Sequence, residues 1–286
     1  MPMDTLEIVK LTTKRGFTLN AFKNDAITLE IQSKGEYDTN TLDSITDILN
    51  IIKPNFSLDV GANIGNHALV IAKLSKKLIA FEPVGFVYKV LQSNFIENEI
   101  TNAQAINYGL SNQKITREIF IPENGNLGSS SLEAKDGQGQ LVKIATVIGD
   151  DYIKEHCDNL NVDFIKMDVE GHEPAALQGL KATIYNCQPL LLLEWKSPET
   201  ISAFSQHKLF SELFPEYSFY SLSYTSNKKV YSKGIKGFFK RLYCRFFAKR
   251  WCLSTFESSS YYSNVYFVPS RYKSVFDGLK YLERSI

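Results

Sequence analysis

The stretch Leu58-Asp-Val-Gly-Ala-Asn-Ile-Gly-Asn-His67 constrains the fold more than any other part of the chain. A short apolar run ends in a carboxylate, a glycine turn follows, and helical periodicity begins at once. Strand, glycine turn and helix in that order open a βαβ unit. The helix N-terminus then faces whatever polar group binds at the turn. Two ligand classes use this construction. A dinucleotide site wants GxGxxG so that backbone can approach a pyrophosphate. Counted from Gly61, the later glycines would stand at 63 and 66, and both positions are asparagine. The motif is Asp-x-Gly-x-Asn-x-Gly, and its carboxylate suits a cationic amino-acid ligand better than a polyphosphate.

S-adenosylmethionine is such a ligand, with an ammonium, a sulfonium and a carboxylate. Asp59 is placed to accept from the ammonium, directly or through water. Gly61, Asn63 and Gly65 shape a loop whose backbone can approach the thioether and whose N–H groups can face the carboxylate. A second strand ends in Ala80-Phe-Glu-Pro83, with Glu82 standing 21 residues after Gly61. An acid there suits the two ribose hydroxyls of a nucleoside. A third strand enters Val162-Asp-Phe-Ile-Lys-Met-Asp-Val-Glu-Gly-His-Glu-Pro174 and ends at Asp168. Asp59, Glu82, Asn107, Asp168 and Glu194 all fall at carboxyl ends of expected strands, where open α/β sheets bind ligands.

The rest of the chain supports that architecture. Phe17–Phe22 and Ile27–Ile31 alternate and read as strands, and residues 40–52 read as a helix capped by Asp38 or Thr39. From Ser57 onward strands and helices alternate: strands at 57–60, 78–81, 103–108, 162–167 and 190–193, helices at 65–75, 84–99 and 174–184. Residues 111–145 read as a hairpin excursion, 199–214 as a helix, and 217–224 and 264–269 as closing strands. Residues 1–54 are expected to pack as an N-terminal β/α element on a domain spanning 55–286.

Composition enters through its unevenness. The formal charge is +1, yet residues 227–253 hold nine cations and no acid, leaving 23 basic against 31 acidic residues elsewhere. A nucleic-acid-binding body is therefore not expected. Within 226–254 the apolar positions 235, 238/239, 242/243, 246/247 and 251 follow a helical period with lysines and arginines opposite. A C-terminal basic amphipathic insertion of this kind either packs its aromatics on the body or contacts an anionic glycolipid or membrane surface. The apolar run Pro189–Trp195 is far too short to span a bilayer, which needs roughly 20 residues. The start lacks the pattern of a secretory signal, and the four cysteines show no CxxC spacing. A cytoplasmic protein is expected, at the inner membrane surface if the basic stretch meets lipid.

With these segments in order, the chain resembles the FkbM family of S-adenosylmethionine-dependent methyltransferases. The matching stretches are Leu58–His67, Ala80-Phe-Glu-Pro83, Ala105-Ile-Asn-Tyr-Gly-Leu-Ser-Asn112, Val162–Glu173 and Leu190-Leu-Leu-Leu-Glu194. The resemblance implies an α/β, Rossmann-like class I methyltransferase fold with seven strands, mostly parallel, one of them antiparallel. It implies S-adenosylmethionine as cofactor and methyl transfer to oxygen, on sugars, glycolipids or polyketide-type products. The run Thr146-Val-Ile-Gly-Asp-Asp151 departs from the family pattern, which leaves any family role of Asp150 or Asp151 open, and the resemblance does not account for residues 227–253.

Methyl transfer from a sulfonium needs an oxygen held in line and a group that takes its proton. Asp168 fits best by position, with Glu170 and His172 as alternatives on the following loop. Glu173, next to Pro174, suits a helix cap. Asp168, Glu170 and Glu173 offer hard oxygens to a divalent metal, but no spacing demands one, and none is expected. His67, Tyr37 and Gly128–Ser131 are further candidates for contact with cofactor or acceptor. Asp59, Gly61, Asn63, Gly65, Glu82 and Asn107 make up the expected cofactor site. Two other functions stay open: a binding or scaffold module that keeps the fold without catalysis, and a nicotinamide-dependent oxidoreductase, against which Asn63 and Asn66 speak.

Overall fold

A computed structural model describes residues 7–122, 139–157, 160–206, 208–224 and 251–284. The elements run β1 (Ile8–Thr12), β2 (Thr18–Phe22), α1 (Ala26–Lys34), α2 (Thr39–Ile52), β3 (Phe56–Val60), α3 (Asn66–Leu74), β4 (Lys77–Phe81), α4 (Gly85–Glu97) and β5 (Ala103–Ile106). Then follow β6 (Gly109–Ser111), β7 (Thr116–Pro122), β8 (Gly139–Ile148), α5 (Gly149–His156), β9 (Phe164–Met167), α6 (Glu173–Gln178), α7 (Lys181–Cys187) and β10 (Leu190–Trp195). The chain closes with α8 (Pro198–Gln206), α9 (Leu209–Leu213), β11 (Tyr217–Tyr224), β12 (Trp251–Thr255), β13 (Tyr262–Pro269), a 3-10 turn and α10 (Lys273–Arg284).

The main sheet has the strand order β12-β11-β13-β10-β9-β3-β4-β5. Strands β5, β4, β3, β9 and β10 are parallel, β13 runs antiparallel between β10 and β11, and β12 adds an antiparallel edge. Strands β11, β13, β10, β9, β3, β4 and β5 give the seven-stranded α/β methyltransferase sheet that the family resemblance implies. The eighth strand was not expected. Every residue of β3, β9 and β10 is buried, as a parallel sheet covered on both faces requires. One apolar cluster, on the face of Ala80 and Leu192, includes Leu19, Ile45, Leu69 and Tyr266. The other, on the face of Leu58 and Met167, includes Leu177, Trp195 and Phe267.

Four local expectations need correction. Residues 27–31 form part of helix α1 and are not a strand. Asp25 caps the helix by accepting from the Ile27 N–H at 3.1 Å, and Gly35 ends it in the left-handed conformation. Ile27 and Ile31 face the core at i,i+4 spacing while Leu29 is 52% exposed, so the apparent alternation hid a helical face. The helix expected at 174–184 breaks into α6 and α7 at Gly179. A Cβ there would meet the Ser111 carbonyl oxygen at 2.0 Å. The helix expected at 199–214 likewise divides into α8 and α9. Finally, the helical period drawn through Trp251 fails at that residue: Trp251 opens β12 and donates from its indole to Asp47 at 3.0 Å. The remaining part of the basic insertion, residues 225–250, lies outside the described residues, as does Gly128–Ser131. The 116–122 and 139–148 strands do pair antiparallel, as the hairpin reading expected.

The N-terminal elements are fixed to the sheet domain by side-chain amides. Asn94 on α4 accepts from the Asn20 N–H at 2.7 Å and donates to the Asn20 and Ile64 carbonyls. Opposite them, Trp195 is wholly buried among Phe204, Phe210, Phe256 and Phe267, with ring centroids 4.9 to 6.0 Å away. Trp195→Ala is expected to lower stability by about 3–5 kcal/mol through the cavity it leaves. Urea unfolding checks this; a midpoint within error of the native protein's would mean the aromatic cluster closes over the gap.

Candidate active site

The site forms at the carboxyl ends of β4, β3, β9 and β10. Gly61 leaves β3 with φ +80°, and a Cβ on it would lie 1.9 Å from the Asp168 carbonyl oxygen. The two strand ends thus touch through backbone, which only glycine permits. The Gly61 and Ala62 N–H groups donate to the Phe81 carbonyl at 3.0 and 2.9 Å, tying the loop to β4. Asn63 takes a left-handed conformation at φ +51°, tolerable for asparagine, and its Oδ1 accepts from the Ile64 N–H at 2.7 Å. Its own N–H donates to Glu82 Oε2 at 2.9 Å, while Glu82 Oε1 accepts from the Val84 N–H at 2.9 Å. Glu82 is buried, and burial pushes its carboxyl up to about 7 despite the two backbone donors.

On the neighbouring strands a row of charges lies on one sheet face. Lys166 stands directly opposite Asp59 in the β3–β9 register and opposite Leu192 on β10. Asp168 and Glu194, each two residues further along, face the same way. Lys166 is 3% exposed, and its Nζ lies 3.5 Å from Asp59 Oδ1 and 3.4 Å from Asp168 Oδ2. Asp59 is fully buried, and among the described residues Lys166 is its ion-pair partner. Burial pushes the Asp59 carboxyl up against the pull of Lys166. For Lys166, burial is outweighed by Asp59, Asp168 and Glu194, which keep it cationic. Asp168 is also opposed by burial, but Lys166, His67 and Lys196 hold its carboxyl below the usual range. Glu194 pairs with Lys196 at 2.7 Å and is raised by burial and by Asp168 and Glu170.

The loop after β9 is shaped by Glu173, whose carboxylate accepts from the Val169 and Gly171 N–H groups at 3.0 and 3.1 Å and from the Thr200 hydroxyl. Glu173 therefore clasps the loop, and the trio Asp168, Glu170 and Glu173 is not assembled. Instead, oxygens of Asp168, Glu170 and Glu194 come within 4.8 Å of one another. A hard cation would accept that spacing, but Lys166 and Lys196 already supply the neutralising charge there. Glu170 is exposed at the cavity mouth with φ +51°, and its carboxyl is pushed up to about 7 by desolvation and by Asp168. His172 Nε2 lies 3.1 Å from Ser111 Oγ, and burial, aided by Arg117, lowers its proton affinity.

One cavity joins these parts. Gly61, Asn63, Glu82, Asp168, Glu170 and His172 line it. Asp59, Gly65 and Asn107 do not. Asp59 lies behind Lys166. Gly65 precedes α3 against Leu91. Asn107 braces the β4 turn by donating to the Glu82 and Pro83 carbonyls at 2.9 and 3.0 Å. Tyr37 and His67 close one side, His67 lying 3.3 Å from Asp38. Burial pushes the Tyr37 hydroxyl up to about 12. Asp150 stands apart, where it accepts from the Ala182 and Thr183 N–H groups at 2.7 and 2.9 Å and so caps α7. Sequence reasoning missed Lys166, Lys196 and Arg117. A lysine inside the apolar run Phe-Ile-Lys-Met, at strand period from Asp168, was the available signal for the first.

Comparisons with known proteins bear on the family. The family model described as the methyltransferase FkbM domain matches residues 59–219. The chain belongs to the FkbM methyltransferase family. This FkbM chain is 25% identical to methyltransferase sdnD of Sordaria araneosa over 181 residues, covering 53% of this chain and 70% of that one. It is also 25% identical to methyltransferase 1 of Beauveria bassiana over 160 residues, 49% of this chain and 64% of that one. Among solved structures, methyltransferase FkbM from Methylobacillus flagellatus aligns with a TM-score of 0.45 and 16% identity. That alignment covers 75% of this chain but only 44% of the solved one. The O-methyltransferase of Bacillus cereus in complex with SAH aligns with a TM-score of 0.47 and 10% identity over 85% of this chain and 88% of that one.

Gly61→Ala tests the strand-end contact. Gly16 has φ +82° with nothing within 4 Å of a Cβ, so Gly16→Ala isolates the backbone cost of about 1–3 kcal/mol. Gly61→Ala is expected to lose clearly more in urea unfolding, because Asp168 must also move. Equal losses in the two variants would show that the strand ends part without cost.

Proposed function

We propose that the chain is an S-adenosylmethionine-dependent O-methyltransferase acting on a hydroxyl of a glycan, glycolipid or related metabolite. The carrying observation is the order of groups along the strand ends: Glu82 on β4, the glycine loop on β3, then Lys166, Asp168 and Glu194 on β9 and β10. Adjacent strands lie about 4.8 Å apart, so β4 and β9 are separated by about 10 Å, the reach of a ribose joined to an amino acid. The residues fit such a ligand. Glu82 is a buried acceptor at the ribose end. Gly61 leaves no side chain over the loop, and Asp168 stays ionised where an ammonium would lie.

When bound, the cofactor supplies an electrophilic methyl group on its sulfonium. The chain's own residues do the rest. Asp168, held ionised, is a poor base and a good partner for a cation. Glu170, exposed at the mouth and raised to about 7, is matched to taking a proton from an acceptor hydroxyl near neutral pH. His172 is kept neutral and positions Ser111 and the loop. Tyr37, Asp38 and His67 form a wall that limits water on the α2 side. For the cationic stretch 227–253 the proposed contact is an anionic lipid surface, which would suit a lipid-linked acceptor. Among the described residues no helix is long and apolar enough to cross a membrane.

Calorimetric titration with S-adenosylhomocysteine tests the cofactor, with NAD as control. Saturable binding is expected, lost in Glu82→Ala; a folded protein that binds NAD alone, or neither ligand, overturns the proposal. The same titration carries a pH signature. Ribose hydroxyls donating to Glu82 favour its ionised form, so binding lowers a carboxyl raised to about 7 and releases protons. Affinity should therefore climb with pH up to about 7 and level off above it. Glu82→Gln should reduce the proton release seen at pH 6, measured in buffers of different ionisation enthalpy.

A further inference from the structure

Lys166 is a cation buried in the middle of a parallel sheet, and an isolated charge there would be strongly unfavourable. Two carboxylates offset it, and they differ in surroundings. Asp59 is sealed below, fully buried, paired with Lys166 among the described residues and outside the cavity lining. Asp168 is the partner on the cavity side, with 32% of its side chain exposed. Lys166 itself reaches the cavity, so the chain of charge runs Asp59, Lys166, Asp168 toward the ligand space. His67, Lys196, Glu194 and Glu170 also face Asp168: His67 and Lys196 reinforce Lys166, Glu194 supports the ionised form through a side-chain hydrogen bond, and Glu170 adds a like charge.

We propose that Lys166 is a positioning residue for the cofactor's methionine end: fixed from behind by Asp59, it sets the charge and aim of Asp168, and Asp59 acts on the cofactor only through Lys166. This rests on the cofactor assignment above. It reverses the expectation that Asp59 touches the ammonium. Lys166→Met would leave Asp168 facing Glu194 and Glu170 with less cationic support, and its ionised form would be less favoured. Asp59→Asn would leave Lys166 without its rear anchor.

The test compares two probes by calorimetry. S-adenosylhomocysteine carries the amino-acid end, and 5′-methylthioadenosine lacks it. Lys166→Met is expected to weaken S-adenosylhomocysteine about tenfold while 5′-methylthioadenosine changes by less than about twofold. Lys166→Arg should recover most of the loss. Adding Asp59→Asn to Lys166→Met should cost no further affinity, whereas Asp59→Asn alone should weaken S-adenosylhomocysteine. If Lys166→Met leaves the buried Asp59 unpaired and fails to fold, the double variant, which removes both charges, supplies the same ratio of the two probes. An equal loss for both probes, or an Asp59→Asn cost undiminished in the Lys166→Met background, overturns the proposal. A native protein that binds neither probe removes the cofactor assignment itself, a result distinct from either of those.

Discussion

The backbone contact between Gly61 and Asp168 is the constraint on which the rest of the site depends. Hydrogen-bonded strand ends usually diverge into loops. Here the Asp168 N–H donates to the Val60 carbonyl at 3.0 Å, and the Asp168 carbonyl then lies where a Gly61 Cβ would stand. The glycine loop cannot rise over β9 and turns toward β4 instead, where the Phe81 carbonyl and Glu82 receive its N–H groups. The β4 end is thereby linked to β3, and β3 to β9. Asn107 extends the linkage to the turn after β5. The polar groups at four strand ends are held in one frame, by backbone hydrogen bonds at β3, β4 and β9 and by the side chains of Glu82 and Asn107.

Onto that frame the sheet places a row of charges where water is scarce. Buried ion pairs are weak sources of stability, because desolvation offsets most of the attraction. The Asp59–Lys166 pair at 3.5 Å is a poor stabiliser by that standard. Its physical effect lies elsewhere: a fixed positive charge under the ligand space separates the proton affinities of the carboxylates around it. Asp168, at 3.4 Å, is pulled down, whereas Glu170 and Glu194 are pushed up by burial and by Asp168 itself. Similar side chains so acquire different tasks within a few ångströms.

The strand-end residues were legible because they sit in local patterns. Gly61, Asn63 and Glu82 occupy positions where a turn or strand end leaves few alternatives, and all three line the cavity. Asp59 was legible as a strand-end carboxylate but not as a sealed one, since its environment depends on Lys166, 107 positions away in sequence. Asn107 was placed at the right strand end, yet its amide proved to be a brace. The helix at 26–34 was misread because Ile27, Leu29 and Ile31 satisfy a period of two by chance, while the caps Asp25 and Gly35 decide the matter for a helix. Strand β12 escaped because Trp251 extended a helical pattern and its pairing with β11 is nonlocal. The break at Gly179 follows from contact with Ser111, which no sequence window contains.

The division between Asp168 and Glu170 follows from one further geometric fact. Glu170 is held at φ +51° next to Gly171 at φ +96°, so the chain reverses immediately after the strand. The reversal carries the Glu170 carboxylate out to the mouth, and the Glu173 clasp on the Val169 and Gly171 N–H groups keeps it there. On the proposed function, a base would meet an acceptor hydroxyl entering from solvent, whereas a partner for the cofactor's ammonium would lie beside the glycine loop. The backbone of Asp168 is flush against that loop. On the proposed function, the lower proton affinity of Asp168, set by Lys166, His67 and Lys196, suits an ionic anchor, and the higher one of Glu170, set by desolvation and by Asp168, suits a proton acceptor; the turn after the strand parts the two residues.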